Sequence, residues 1–465
     1  MKRSFKLGTT ILVTGMLSSM AFAESYGPYP ITEKSYSGDK TNSVSYSGQV
    51  ARNVLVDSLK SLAGQGNGGA NAEELKAQMM AYFAGSEVDL PILSYTDKDG
   101  FDIKQDTINE ISSGKNVQGK TYQGLVPGWP GNLTGPEVLE DMINRAAVSN
   151  GGFDPETGMD WGQLIQKFAL GAMGFNQTVD NYLDENLGAD KKPNNQAYSD
   201  GAAYTGKEHS WDEAFGYFGA AAHTMTLNAD QAYNINKKTD AAAADANGDG
   251  VIDLKTEMVF GNAYYAAGAD RSGKTDYLPT ITGAFIEGRK LITSADGAAL
   301  TDAQRAQLKT YADVIEEEWT KVLAEAAFKY AGSVYKDIAT MRANDSDDDA
   351  ETYRDYVKHW GELKGFSLAI QTGRENLGGT AVRLNRLIGF GPVTMDETVV
   401  TGVDADGKFV KDAKMSWNAY QLNMLKVQDL LVKEFGIEAR ANDATAELAN
   451  LVKELDTDSG GAETD

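Results

Sequence analysis

Residues 301–330, TDAQRAQLKTYADVIEEEWTKVLAEAAFKY, decide the fold class. Leu308, Ala312, Ile315, Trp319, Val322, Leu323, Ala326 and Tyr330 recur at spacings of three and four, the period of one buried helical face. Thr301 and Gln304 stand at capping-box spacing, where hydroxyl and amide close backbone N–H groups that the first turn leaves open. A helix this long, with one apolar stripe, must be covered by other helices.

The rest of the chain supplies them. Val50, Val54, Leu55, Leu59 and Leu62 give a helix with Ser47 as its N-cap, and residues 72–83 give another. Pro136 sits in the first turn before Val138, Leu139, Met142, Ile143 and Ala146. Asp160 precedes a helical pattern through Leu164, Ile165, Phe168 and Ala169, and residues 178–187 follow in kind. Two more helices are predicted over about residues 351–371 and over residues 417–435. Residues 87–131 read as loop. The one persuasive strand pair is 398–403 with 408–410, turned at Asp406-Gly407. This predicts an all-α helical bundle with a small β-hairpin.

The amino terminus reads as an export signal over residues 1–23: Lys2, Arg3 and Lys6, an apolar run, then Ala21-Phe22-Ala23. Residues 24–42 read as a flexible arm, 43–455 as a single large helical domain, and 456–465 as a disordered acidic tail. No segment is apolar for long enough to span a bilayer. The expected location is the periplasm or the exterior, as a soluble protein. The chain contains no cysteine, which removes disulfides, thiolate metal sites, a cysteine nucleophile and a lipoprotein anchor. Loss of the three leader cations takes the formal charge from −24 to about −27, a surface that repels nucleic acid.

Chemistry concentrates in two segments. GKEHSWDEAFGYFGAAAH (206–223) and KHWGELKGFSLAIQ (358–371) contain all three histidines and share His, then Trp-x-Glu-x-x-Gly-aromatic. They lie about 150 residues apart, which suggests two related half-bundles. On a helix His209 shares a face with Asp212 and Glu213, and His359 with Glu362. Facing each other, the two sets could hold Zn, Fe or Cu between imidazole and carboxylate. The plainer reading is a pair of buried His–Glu contacts that lock helices, with Gly216 and Gly365 permitting close approach. His223 falls fourteen residues after His209, about 21 Å along a straight helix, too far to share an ion with it.

Asp245-Ala-Asn247-Gly-Asp249-Gly250-Val251-Ile252-Asp253 matches the calcium loop of an EF-hand through its ninth position. Side-chain oxygens come from Asp245, Asn247, Asp249 and Asp253, and a backbone carbonyl from Val251. The terminal acid is displaced by one residue, to Glu257, since Thr256 holds the twelfth position. The loop occupies 245–257 and is expected to act as a structural Ca2+ clamp without an evident partner hand. Asp97–Gly100 and Asp404–Gly407 echo the pattern but read as turns. Residues 344–351 read as a solvated lead-in to a helix.

Four phrases together resemble a family of bacterial secreted proteins, domain-of-unknown-function family 4856. They are SVSYSGQVAR (43–52), HSWDEAFGYFG (209–219), AFIEGRKLI (284–292) and HWGELKGFSLAIQ (359–371). The resemblance spans most of the chain after the leader, and the Trp-Asp-Glu-Ala-Phe-Gly-Tyr phrase is its most specific part. It implies an exported, mainly helical protein linked to iron or haem acquisition, with imelysin-like neighbours. An outer-membrane uptake protein or another exported protein is then the implied partner. Many members of the family are lipoproteins, and this chain lacks their cysteine. Imelysin-like proteins carry Gly-x-His-x-x-Glu; Gly206 to Asp212 comes nearest, with one extra residue before His209 and Asp212 in place of Glu. The expected function is an exported binding protein for a metal ion, haem or another small ligand. The alternatives are a metal-dependent hydrolase with Glu213 or Glu362 as general base, and a purely structural or interaction protein.

Overall fold

The computed structural model describes Tyr26 and residues 42–85, 88–189, 191–343 and 350–453. The expected signal, most of the arm, the acidic tail and most of the 344–351 lead-in lie outside these residues. The helices are α1 (Ser47–Ala63), α2 (Ala72–Phe83), α3 (Ile108–Ile111), α4 (Gly135–Val148), α5 (Trp161–Ala169), α6 (Gly206–Phe218) and α7 (Ala229–Asn236). They continue as α8 (Ala241–Ala244), α9 (Gly261–Asp270), α10 (Tyr277–Ser294), α11 (Asp302–Ala343), α12 (Ala350–Ala369), α13 (Gly379–Ile388) and α14 (Trp417–Phe435). The expected all-α class is what the chain adopts.

The organising element is α11. At 42 residues it runs about 63 Å, using 1.5 Å per residue. Thr301 N–H donates to Gln304 Oε1 (2.9 Å) and Gln304 N–H donates back to Thr301 Oγ1 (3.2 Å), so the capping box forms. All eight apolar residues of its stripe are buried. Helices α9, α10, α12 and α14 pack along it. Helix α5 bridges α12 and α1, and α6 lies between α1 and α10. The α5 helix is longer than its regular portion. Beyond Ala169 the chain keeps winding, in wider i→i+5 turns, over Leu170–Phe175 and Gln177–Tyr182.

Strand is minor. Phe153–Asp154 (β1) pairs with Met159–Asp160 (β2). Thr398–Val399 (β3) pairs with Ala413–Lys414 (β6), and Gly402–Val403 (β4) with Phe409–Val410 (β5), in one common antiparallel register. The last two pairs are thus one interrupted hairpin, closed as expected near Gly407, whose φ is 76°.

The shared phrase of α6 and α12 has a packing explanation. Trp211 Nε1–H donates to the Phe285 carbonyl (2.8 Å), and Trp360 Nε1–H to the Tyr420 hydroxyl (2.6 Å), so each tryptophan is a buried anchor. Gly216 lies so close to α1 that a Cβ there would sit 2.8 Å from Gln49 Cβ and from Tyr46 Cβ. Gly365 meets α5 in the same way, at Lys167 and Phe168. The acid of each phrase faces a polar side chain of the crossing helix: Gln49 Nε2–H donates to Glu213 (2.7 Å), and Lys167 Nζ is 3.9 Å from Glu362. The repeated wording encodes a repeated helix crossing.

Candidate functional site

A cavity of about 590 Å³ opens between the start of α1 and the loop that was expected to bind calcium. One wall is Val44 to Ser47 with Asn42 and Tyr26; the other is Ala246, Asn247, Lys255, Thr256 and Glu257, with Ala222 and His223 between them. Helix α6 ends at Gly219, whose φ of 80° turns the chain out of the helix. His223 therefore does not continue the axis of His209, as the straight-helix spacing had it. Its Nε2 is 2.9 Å from the Ala243 carbonyl. A carbonyl only accepts, so Nε2 carries the hydrogen of this contact. The Nδ1 of the same ring is buried and has no hydrogen-bond partner.

The loop closes on its own backbone N–H groups. Asp245 accepts from Gly248 (2.8 Å), Asp249 (3.2 Å) and Gly250 (2.9 Å). Asn247 Oδ1 accepts from Asp249 N–H (2.8 Å), and Asp249 Oδ1 from Val251 N–H (3.0 Å). Gly248 and Gly250, with φ of 74° and 86°, make the tight turn possible. Glu257, the displaced terminal acid, is buried and holds the loop shut: Oε1 accepts from Ala246 and Asn247 N–H (3.1 and 3.3 Å), Oε2 from Asp253 N–H (2.8 Å). Asp253 turns outward to Lys104 Nζ (2.9 Å) and Gln105 Nε2 (2.7 Å). Burial opposes ionisation of Asp253, but Lys104, the Lys255 N–H and Gln105 outweigh it and hold the carboxyl below its ordinary value. The donor set thus fits Ca2+ in part. Asp245, Asn247, Asp249 and the Val251 carbonyl stand at the EF-hand positions, whereas Asp253 would have to exchange its ammonium partner for the ion.

The loop has a structural partner that the sequence did not reveal. Ile252, its eighth residue, bridges Ile103 in parallel: Ile252 N–H donates to Asp102 O (2.7 Å), and Lys104 N–H to Ile252 O (3.0 Å). That segment leaves the Asp97–Gly100 turn, which forms as expected with φ of 44° at Asp99 and 82° at Gly100. Ile103 N–H donates to Asp97 Oδ1 (2.8 Å).

The histidines of the two phrases have separate surroundings. His209 stacks on Tyr204 (ring centroids 4.5 Å apart, interplanar angle 18°), lies 4.4 Å from the Tyr198 ring, and reaches Glu213 at 3.7 Å. Burial lowers its pKa, and Glu213 opposes the shift. His359 Nδ1 lies 2.7 Å from Asp337 of α11, and its ring is 6.1 Å from that of Tyr330. The two rings share none of these contacts. Among the described residues no group of three or more His, Cys, Asp and Glu side chains converges as a metal site.

Asp212 belongs to a different cluster, in which Arg289 is fully buried. Arg289 Nε–H donates to Asp212 Oδ1 (2.9 Å), and its terminal nitrogens to Glu208 Oε1 (2.7 Å) and Ser43 Oγ (2.9 Å). Tyr26 completes it. Its hydroxyl donates to Asp212 Oδ1 (2.7 Å), its ring stacks on Phe215 (3.8 Å), and its N–H donates to Ala222 O (2.8 Å). Burial pushes Asp212 up to about 7, only partly offset by Arg289, Tyr26 and the Ser45 N–H. Burial also works against the charge of Arg289, but Asp212 and Glu208 win and raise its pKa. Glu362 has its own buried partner in Lys167, whose ammonium lies 5.5 Å from the Tyr265 ring and whose pKa burial lowers strongly. Sequence reasoning missed Tyr26, Lys255 and Lys167, because nothing in their local spacing marks them.

Residues 146–376, just under half of the chain, match the model of a family described as Domain of unknown function (DUF4856). Three of the four phrases quoted above fall inside the match, and SVSYSGQVAR (43–52) lies before it. No curated protein and no solved structure matches the chain. Among the described residues no helix is long and apolar enough to cross a membrane.

Proposed function

We propose that this DUF4856-domain protein is an exported, non-catalytic binding protein. It holds a small ligand in the cavity between α1 and the 245–257 loop, and Ca2+ in that loop stiffens one wall. The observation that carries the reading is the position of the cavity: Ala246, Asn247, Lys255, Thr256 and Glu257 line it and belong to the loop that offers the cation its oxygens. An ion that fixes the loop therefore fixes the shape of the cavity. Glu213 is engaged by Gln49 and Glu362 lies beside Lys167, which lends the hydrolase alternative no support.

Two titrations test this. Thermal unfolding in Ca2+ and in chelator should differ, since an ion at a hundredfold excess over its Kd stabilises by about 2.7 kcal/mol. An Asp245→Ala/Asp249→Ala variant should lose that difference; if it keeps it, the loop does not hold the ion. The link to iron or haem acquisition, which the family resemblance implies, is tested separately by titrating Fe, Zn and haem into the protein. Micromolar binding that a His209→Ala/His359→Ala variant abolishes would support it, and no binding would end it.

A further inference from the structure

We propose that a second site, separate from the cavity above, holds a small multivalent oxyanion of the phosphate type where α1, the 112–121 segment, the 191–198 loop and α6 meet. Four cations gather there. Gly48 and Arg52 stand one turn apart on α1, and a Cβ at Gly48 would sit 2.9 Å from Lys115 Cε and 3.7 Å from Arg52 Nη1, which puts the Lys115 chain beside the guanidinium. Lys120 closes the turn Gln118–Lys120 that follows. Lys192, held at a φ of 43°, reaches over the Tyr198 ring at 5.2 Å, and that ring lies 4.4 Å from the ring of His209.

What marks the cluster is how little acid answers it. Arg52 is buried and donates Nε–H to the Asn116 carbonyl (2.9 Å) and Nη1–H to that of Gly48 (3.2 Å), which fix the guanidinium without neutralising it. Among the described residues Lys115, Lys120 and Lys192, all half-buried, form no ion pair. The carboxylate that acts on this group is Glu213, which already accepts from Gln49 Nε2–H (2.7 Å) and has His209 Nε2 at 3.7 Å. Burial lowers the pKa of Lys120, and Arg52, Lys192 and Lys115 lower it further against the pull of Glu213. Lys192 and Lys115 also add to the burial that lowers His209. Like charges drawn together and half out of water cost free energy until a counter-charge joins them. A chain with 67 acidic residues could have paired each of these lysines and does not, which leaves the place to an anion from solution. Several ammonium groups, each a point charge, suit the oxygens of a phosphate group. Their half-burial admits a small ion and keeps out a flat membrane or a macromolecular surface.

The probe is inorganic phosphate, titrated calorimetrically into the full folded chain at neutral pH, with the ionic strength held constant by sodium chloride. Saturable binding at one site is expected. A Lys115→Met/Lys120→Met variant should weaken it at least about tenfold, the size of one lost charge-assisted contact. Lys426→Met, on the exposed face of α14, should leave it unchanged. A second measurement separates ligand binding from a structural role. Without phosphate, Lys120→Met should raise the Tm, because it takes one charge out of a group of like charges and keeps an aliphatic chain in its place. A lysine that only supported the fold would lower it. Absence of phosphate binding, binding that the double lysine variant leaves as strong as before, or a Tm that falls in Lys120→Met would each overturn the proposal.

Discussion

Replacing Arg289 with methionine is the sharpest test of what holds α6 against α10. The side chains of Arg289, Glu208 and Asp212 are each 0 % exposed, with N–O distances of 2.7 and 2.9 Å. Methionine fills much of the volume and removes the charge, leaving two carboxylates in an interior that cannot hydrate them. Removing one partner of a buried ion pair costs about 3–5 kcal/mol. The loss of the Ser43 contact acts in the same direction. The deficit should also depend on pH. Asp212 already binds its proton more tightly in the folded chain than its ordinary 3.8, at about 7. A carboxyl raised on folding contributes stability below its unfolded pKa and loses it as pH rises through the folded one. Without Arg289 that carboxyl is pushed higher still, so the variant should recover part of its deficit between about pH 8 and pH 5. Urea unfolding of both proteins at the two pH values measures this. A deficit under about 1 kcal/mol, or one that is equal at both, would refute the reasoning.

Gly216→Ala and Gly365→Ala should each cost about 1–3 kcal/mol in denaturant unfolding, because a methyl at either crossing meets the partner helix; an unchanged midpoint would show that the crossings can open. Lys104→Met should tighten Ca2+ by about threefold to fivefold in a calorimetric titration, since it frees Asp253 from a half-exposed ammonium; weaker binding would mean Lys104 supports the loop. Burial brings Lys364 down to about 7, with Nζ donating to Gly389 O at 2.6 Å. The folded chain then holds fewer protons than the unfolded one between about 7 and 10.5, so this residue makes stability rise with pH across that window. Lys364→Met should flatten that rise, as followed by thermal unfolding from neutral to alkaline buffer.

The regular parts of this fold were legible because each rests on neighbours in the sequence. The stripe and cap of α11, the bounds of α2 and α14, the Asp160 cap, which accepts from Gln163 N–H, and the hairpin of 398–403 with 408–410, which the structure extends to Lys414, are local patterns. What escaped is long-range. The phrase shared by α6 and α12 was visible, but spacing alone does not say whether two such helices face each other or each cross a third. They cross α1 and α5, so the candidate set of His209, Asp212, Glu213, His359 and Glu362 is dispersed among separate partners. Ser47 opens α1 without acting as its side-chain cap. The docking of Ile252 on Ile103 joins residues about 150 positions apart, and no turn signal announces it. Tyr26 falls in a Ser-, Gly- and Pro-rich stretch that reads as a loose arm, yet its ring is as inaccessible as any tryptophan of the core.

That buried tyrosine has a practical bearing on how the protein is handled. Only two residues separate it from Ala23, where the leader is expected to be cut. An affinity sequence fused directly ahead of Glu24 would have almost no slack before the chain dives between Phe215 and Asp212. Handles for purification or immobilisation should be fused through a generous spacer, so that tension on the handle does not draw the ring out of its seat.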